Sequence, residues 1–291
     1  MTFYDVVIGP FVEFDFMRRA LIGSLALSLG AGPVGVFLML RRMSLAGDAM
    51  AHAILPGAAA GFLVAGLSLP AMTLGGLVAG VSVALLAGLV TRMTVLKEDA
   101  ALAAFYLLSL ALGVTMVSLR GSNVDLLHVL FGSVLALDDD ALLLLAGVAT
   151  VTLVTLALVY RPLVLECVDP GFLASVSRAG GPAHLIFLGL VVLNLVAGFQ
   201  ALGTLLAVGV MMLPAATAPF WTQRLAPMFG VAVAAGALAS VAGLLGSYHA
   251  GVPTGPAIIL AAGVVYLLSM AFGPAGGLVW RLVPARRHRA A

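Results

Sequence analysis

The sequence predicts an all-α, polytopic membrane protein of about eight or nine transmembrane helices, on the evidence of its composition and its apolar runs. Of its 291 residues, 63% are hydrophobic and 9% are charged, and the mean hydropathy is +1.19. A soluble domain carries about 25% charged residues, so most of the surface of this protein cannot be exposed to water. The apolar runs approach the ~20 residues of a spanning helix and do not alternate, which favours helices over a β-barrel.

The apolar runs between charged and turn residues predict nine spans. The seventh contains Pro214 and Pro219, which predicts a kink or an early end. The segment 1–16 is a candidate interfacial helix. Its acidic residues and its lack of basic ones are unlike a signal peptide, so we expect the first span to be retained. The spans cover about 20–40, 49–67, 71–91, 100–119, 141–160, 183–199, 202–220, 227–247 and 256–280.

The basic residues predict that the carboxyl terminus is cytoplasmic. In this orientation eleven basic residues lie on the inner side and three, Arg18, Arg19 and Arg120, lie on the outer side. Cytoplasmic loops of membrane proteins carry such an excess of Lys and Arg. Arg18 and Arg19 are exceptions to the rule, and a further buried segment within 1–16 would move the N-terminus inside.

The chain lacks the sequence motifs of several functional classes. Lys97 is the only lysine, so there is no glycine-rich loop ending in Gly-Lys-Ser or Gly-Lys-Thr to hold ATP phosphates. The motifs His-Glu-x-x-His and Gly-x-Ser-x-Gly are absent, and no basic stripe is long enough for nucleic acid. The single cysteine, Cys167, excludes a disulfide framework. A transport or channel role remains, with no enzyme activity and no resident cofactor expected in this chain.

Asp48 and His52 form the first candidate site. They are four residues apart, so on a helix both side chains project from one face about one turn apart. A carboxylate and an imidazole suit a divalent cation such as Zn²⁺, Mn²⁺ or Fe²⁺. A carboxylate in the centre of a span costs about 2.5–3.5 kcal/mol of insertion free energy and needs a polar path or a partner. In the alternative interpretation, Asp48 caps the second span and His52 is a hydrogen-bonded packing residue.

The link 166–182 carries signals for a short cytoplasmic helix. Asp169 fits its N-cap, Pro170 its first position and Gly180 its end. Such a helix would be a docking element for another protein, and a plain connector is the alternative. We expect the helix to run from about Pro170 to Ala179 with three apolar residues on one face: Phe172, Leu173 and Val176.

Two histidines of the predicted outer segments, His128 and His249, are weaker candidates for metal ligands. A histidine at an outer mouth could pass a metal ion inward. Each of them is the only histidine in its segment. A lone histidine is more often a packing residue or a solvent-exposed surface residue than a metal ligand.

Four segments of the sequence resemble the ABC-3 family, the permease subunits of zinc, manganese and iron ABC importers. They are 40–52 (LRRMSLAGDAMAH), 127–136 (LHVLFGSVLA), 202–218 (LGTLLAVGVMMLPAATA) and 247–257 (SYHAGVPTGPA). They occur in family order and the resemblance covers about 17–275. It departs from the family at 248–250, where relatives often have an acidic residue.

The resemblance implies a type II ABC importer permease fold, similar in layout to the vitamin B12 permease, in one transmembrane domain over 1–291. It also implies a homodimer, two cytoplasmic ATP-binding subunits that hydrolyse ATP, and a periplasmic or lipid-anchored metal-binding protein. Asp48 and His52 match the aspartate and histidine of the family's metal route, and 169–178 matches its coupling helix.

We therefore predict the permease subunit of an ATP-driven divalent metal importer in a bacterial inner membrane, moving the ion by alternating access. Zn²⁺ is the first choice and Mn²⁺ the second, and an iron importer of the same family is a further alternative. An alternative from another class is a secondary cation/proton exchanger with Asp48 as the proton carrier. A third is a purely structural membrane subunit, for which Asp48→Ala would leave transport unchanged.

Overall fold

The chain is helical through most of the part that the computed structural model describes, residues 4–66, 68–119, 134, 137–177 and 179–279. These ranges contain no strand, as expected where lipid offers backbone groups no hydrogen-bond partner. The described α-helices are α1 Gly9–Glu13, α2 Asp15–Leu40, α3 Ser44–Ala53, α4 Leu55–Ala65, α5 Leu69–Met93, α6 Glu98–Leu119, α7 Asp139–Val168, α8 Pro170–Val176, α9 Gly180–Leu202, α10 Thr204–Thr217, α11 Leu225–Ala250 and α12 Thr254–Phe272.

Eight segments of the described ranges are long and apolar enough to cross a membrane, which agrees with eight of the nine predicted spans. Their bounds differ from the prediction by several residues at some ends. They are Asp15–Leu40, Ser44–Ala65, Leu69–Thr91, Glu98–Met116, Asp139–Val168, Gly180–Leu202, Leu225–Ala250 and Thr254–Phe272.

The seventh predicted span, 202–220, is a shorter apolar segment. Gly203 separates α10 from α9 and has a φ of +92°, which glycine adopts without strain. The α-helix ends at Thr217, and the 3-10 turn Ala218–Phe220 follows it, so the predicted early end is confirmed. At 1.5 Å per residue, the 14 residues of α10 rise about 21 Å, less than the ~30 Å of a bilayer core.

Two other predicted spans differ from the structure in ways that involve a proline. The fifth span continues through Pro162 to Val168, so 166–168 belong to α7 and not to the link. The second span begins earlier than predicted and breaks at Ile54 into α3 and α4. Pro56 explains this break, because it has no N–H to donate to the carbonyl four residues earlier.

The most deeply buried spans are α2 and α9. Helix α2 packs against α7, α10 and α11, and α9 packs against α7 and α5. Asn194 of α9 is buried, and its Nδ2 donates to Thr152 Oγ1 of α7 and to the Leu190 carbonyl oxygen, both at 2.8 Å. This side-chain bond links the two helices within the apolar core.

Helices α4 and α5 form a close hairpin. A Cβ atom added at Gly57 would meet the carbonyl oxygen of Gly75, and one at Gly75 would meet the carbonyl oxygen of Gly57. Small residues let helix backbones approach where lipid gives no hydrophobic driving force for association. Gly57 and Gly75 therefore serve the close packing of these two helices.

Arg18 and Arg19, the exceptions to the predicted positive-inside pattern, are paired with carboxylates. Arg18 Nη2 lies 2.8 Å from Asp15 Oδ1, and Arg19 Nε lies 2.9 Å from Asp15 Oδ2. Arg19 also reaches Asp139 at 3.2 Å. The pairing offsets both positive charges at this end of α2, and Arg41 lies at the other end of the same helix.

The candidate interfacial segment packs beside the turn between α11 and α12. Its described part is a π-helical turn, Tyr4–Ile8, followed by α1. His249 Nε2 lies 3.0 Å from the Val6 carbonyl oxygen, and the ring of Phe14 lies 5.7 Å from that of Tyr248. The segment is thus held against the bundle by side chains of α11.

Candidate functional site

Helix α3 carries the first candidate site. Its N-cap is Met43, and its first residue, Ser44, follows a tight turn in which Arg42 has a φ of +59°. Asp48 is the fifth residue of the helix and lies in its second turn. The interpretation of Asp48 as an N-cap is therefore wrong, and its carboxylate is free for another role.

Asp48 and His52 lie one turn apart on α3, as their spacing predicts. His52 Nε2 is 3.8 Å from Asp48 Oδ1, which is too long for a hydrogen bond. The Asp48 side chain is 63% exposed and that of His52 is 32% exposed. The Nδ1 atom of His52 is buried and finds no hydrogen-bond partner among the described residues. A carboxylate oxygen and an imidazole nitrogen so placed can bind one divalent cation.

Helix α6 forms the opposite wall of the site. The ring of Tyr106 lies beside that of His52, with centroids 6.1 Å apart and an angle of 30° between the ring planes. A cavity of about 160 Å³ lies between the helices and is lined by Asp48, Asp99 and Tyr106 among others. Its other lining residues are apolar, so the two carboxylates bring the charge to this cavity.

The break between α3 and α4 is also held from α6. Ser109 is buried, and its hydroxyl donates to the Ala53 carbonyl oxygen at 2.9 Å. That carbonyl belongs to the last residue of α3, next to His52. The bond thus satisfies a backbone group at the helix end, where intrahelical partners are missing.

Asp48 and His52 supply only part of a metal coordination shell. Within the described ranges, no group of three or more His, Cys, Asp or Glu side chains is arranged to hold a metal ion. Structural Zn²⁺ takes four ligands and Mn²⁺ prefers more oxygen ligands. His249 lies against Val6 near the N-terminal segment, so the structure does not bring it to this site. His128 lies outside the described residues.

The short helix predicted in the link is α8. Asp169 caps it, as predicted, with its Oδ1 accepting from the Phe172 N–H at 2.8 Å. The helix ends at Val176 and not near Ala179, and Gly180 begins α9 instead of ending α8.

The exposed apolar surface of α8 is smaller than predicted. Phe172 is 52% exposed and Val176 is 68% exposed. Leu173 is only 4% exposed, and its side chain lies against Gly180, so it does not share the exposed face with the other two. A partner at this helix would meet Phe172 and Val176.

A group of charged side chains that the sequence analysis did not find lies near α8. Arg41 contacts Glu166 and His184, and His184 contacts Glu98. The residues that Arg41 contacts lie 125 and 143 positions away along the chain, so no local spacing connects them. The only local signal is the placement of each charge near the end of a predicted span.

Comparisons with known sequences agree with this architecture. The ABC 3 transport family matches residues 13–273. The manganese import system permease protein ScaB of Streptococcus parasanguinis is 35% identical over 262 residues, which cover 90% of this chain and 92% of that protein. The manganese transport system membrane protein MntC of Halalkalibacterium halodurans is 31% identical over 279 residues, which cover 96% of this chain and 94% of that protein.

Solved structures have the same fold. A chain of PsaBC from Streptococcus pneumoniae, in complex with Fab, is similar with a TM-score of 0.81 and 32% identity, over 92% of this chain and 96% of that one. An inward-facing metal-chelate type ABC transporter gives a TM-score of 0.69 at 15% identity, over 87% of this chain and 84% of that one, and supports the fold alone. The predicted all-α permease fold is confirmed.

Proposed function

Because the chain belongs to the ABC 3 transport family and is a multi-pass protein of the bacterial plasma membrane, we propose that it is the permease subunit of an ATP-driven manganese importer. The observation that supports this most is the pair of Asp48 and His52, one turn apart on α3, with Asp48 lining a cavity between α3 and α6. The pair offers a passing cation an oxygen and a nitrogen ligand.

Manganese takes the place of zinc as the first choice of metal. The relatives ScaB and MntC are named for manganese import, whereas one aspartate and one histidine do not by themselves distinguish Zn²⁺ from Mn²⁺. The exposure of Asp48 also fits Mn²⁺, because this ion prefers carboxylate and water oxygens. Water can reach the open side of the site and fill positions that the protein leaves vacant.

A second copy of the chain would complete the site. Two protomers related by a two-fold axis present the same surface to each other, so an interface that includes the exposed side of α3 would bring one aspartate and one histidine from each protomer together. Four protein ligands and water then suffice for a divalent ion. The metal site is therefore proposed to lie between two protomers, and alternating access would open it to one side of the membrane at a time.

The energy for transport would come from separate subunits. This chain has no phosphate-binding loop of its own. The exposed Phe172 and Val176 of α8 provide an apolar contact for a cytoplasmic ATP-binding subunit, with two such subunits for a dimer. A metal-binding protein would deliver the ion at the opposite face.

Purification from native membranes tests the proposed assembly. We expect the tagged chain, extracted in mild detergent, to carry an ATP-binding subunit with it, because α8 offers an exposed apolar contact. Mass spectrometry of the purified sample identifies the subunits. A secondary exchanger would be purified without an ATPase, and cells that keep metal uptake while the chain has no such partner would contradict the proposal.

A further inference from the structure

Arg41 is a buried charge at the joint between α2 and α3. It follows the last residue of α2, and α3 begins three residues later with the site helix. Its side chain is only 7% exposed. A buried guanidinium is stable only where other groups satisfy its charge and its donors, so its partners show what this joint is attached to.

The partners of Arg41 come from two other spans. Arg41 Nη2 donates to Glu166 Oε2 of α7, and Nη1 donates to His184 Nδ1 of α9, both at 2.6 Å. The guanidinium carbon also lies 4.7 Å from the centre of the Phe187 ring on α9. The α2–α3 joint is therefore attached to the cytoplasmic ends of α7 and α9.

His184 extends the connection to a fourth helix. Arginine can only donate, so Nδ1 of His184 accepts the bond from Arg41 and Nε2 holds the ring proton. Nε2 then donates to Glu98 Oε1 of α6 at 2.8 Å. Helix α6 is the wall that carries Tyr106 beside His52, so both walls of the candidate metal site connect to this cluster.

The cluster also lies next to α8. Glu166 stands in the last turn of α7, three residues before the Asp169 cap of α8. A cavity of about 1300 Å³ beside the cluster is lined by Arg41, Glu98, Glu166 and His184 and also by Leu173 of α8. Because only one helical turn separates Glu166 from α8, a displacement of α8 can move Glu166.

We propose that Arg41 is a positioning residue that transmits movement of α8 to the metal site, through its bonds to Glu166 and His184. This inference rests on the proposed function, in which α8 contacts the ATP-binding subunit. When α8 moves, Glu166 moves with it. If Arg41 did not move with Glu166, their ion pair would break and leave a buried charge unpaired. Arg41 therefore follows Glu166, and α3 moves with it, together with the ligands Asp48 and His52.

The hydrogen bonds of Arg41 allow a second position of its guanidinium group. Its Nε atom is buried and makes no hydrogen bond within the described part of the chain. An unsatisfied buried donor carries a free-energy cost, so a shifted position of the guanidinium that satisfies Nε can compete with this one. Interfaces with two discrete arrangements are the usual means of transmitting conformational change.

The test measures Mn²⁺ transported per ATP hydrolysed in the purified complex, reconstituted in liposomes. Arg41→Lys keeps the buried charge but lacks the planar fork that holds two partners at once, and Glu166→Gln removes the charge of one partner. Both variants should keep the bound ATP-binding subunits and their ATPase activity. The transport ratio should fall about tenfold, the size of a typical coupling between two sites.

Asn194→Leu is the matched control, since it removes a buried bond between α7 and α9 away from the cluster. It should lower the thermal stability and leave the transport ratio at the wild-type value. A wild-type ratio in both Arg41→Lys and Glu166→Gln would overturn the inference, as would a loss of uptake and ATPase activity in equal proportion. Failure of the wild-type complex to transport Mn²⁺ would instead refute the proposed function.

Discussion

Asp48→Ala and His52→Ala should each reduce metal uptake to the background of cells lacking the chain. Each variant removes one of the two ligands that this chain offers on α3, and two-fold symmetry would remove it twice. Loss of a carboxylate also removes the negative charge that attracts a divalent ion. Uptake of Mn²⁺ by cells expressing each variant, at equal amounts of chain in the membrane, is the measurement.

Asp48→Asn refines this prediction, because it keeps the shape of the side chain and removes only its charge. We expect uptake as low as in Asp48→Ala. His249→Ala is the matched control for His52→Ala, since His249 lies against the Val6 carbonyl near the N-terminal segment, and it should retain uptake. Wild-type uptake in both alanine variants, with assembly intact, would mean that the ion does not pass these residues.

Phe172→Asp should detach the ATP-binding subunit from the solubilised permease or leave ATP hydrolysis without metal uptake. Phe172 is the largest exposed apolar side chain on α8, and a carboxylate in its place would have to be desolvated at an apolar contact. The change should not disturb the fold, because the side chain is exposed. Co-purification and the ATPase rate measure the effect.

Val95→Asp is the matched control for Phe172→Asp. It places the same charge at another exposed apolar position, in the link between α5 and α6, and should leave binding and uptake near wild type. If Phe172→Asp retains bound ATPase and full uptake, the contact with the ATP-binding subunit does not involve Phe172. The assignment of α8 to the cytoplasmic side would then be contradicted as well.

The fold class could be predicted because it depends on composition, which no tertiary contact changes. Helix ends were predicted less well where a proline was involved. Pro162 lies inside α7, whereas Pro56 accompanies a break between α3 and α4. A proline removes one backbone bond in either case, and the packing around it decides whether the helix continues. In α3 and α4, Ser109 satisfies the Ala53 carbonyl at the break.

The candidate site could be predicted only where its residues are close in sequence. Asp48 and His52 share a helix, so their spacing gives their geometry. Tyr106 reaches His52 from another helix, and the bonds of Arg41 to His184 join distant spans. Such contacts depend on how helices pack, which a single sequence does not reveal. Leu173 illustrates the same limit, because the spacing gives its face on α8 but not the Gly180 backbone that covers it.

Uptake of Mn²⁺ into liposomes that contain the purified complex tests the central claim most directly. ATP is supplied on the side of the ATP-binding subunits, and the metal-binding protein is supplied on the other. We expect Mn²⁺ to accumulate only when ATP is present and hydrolysed, without any proton gradient, and faster than Zn²⁺ at the same free concentration. Uptake that follows an imposed proton gradient and does not respond to ATP would contradict the account.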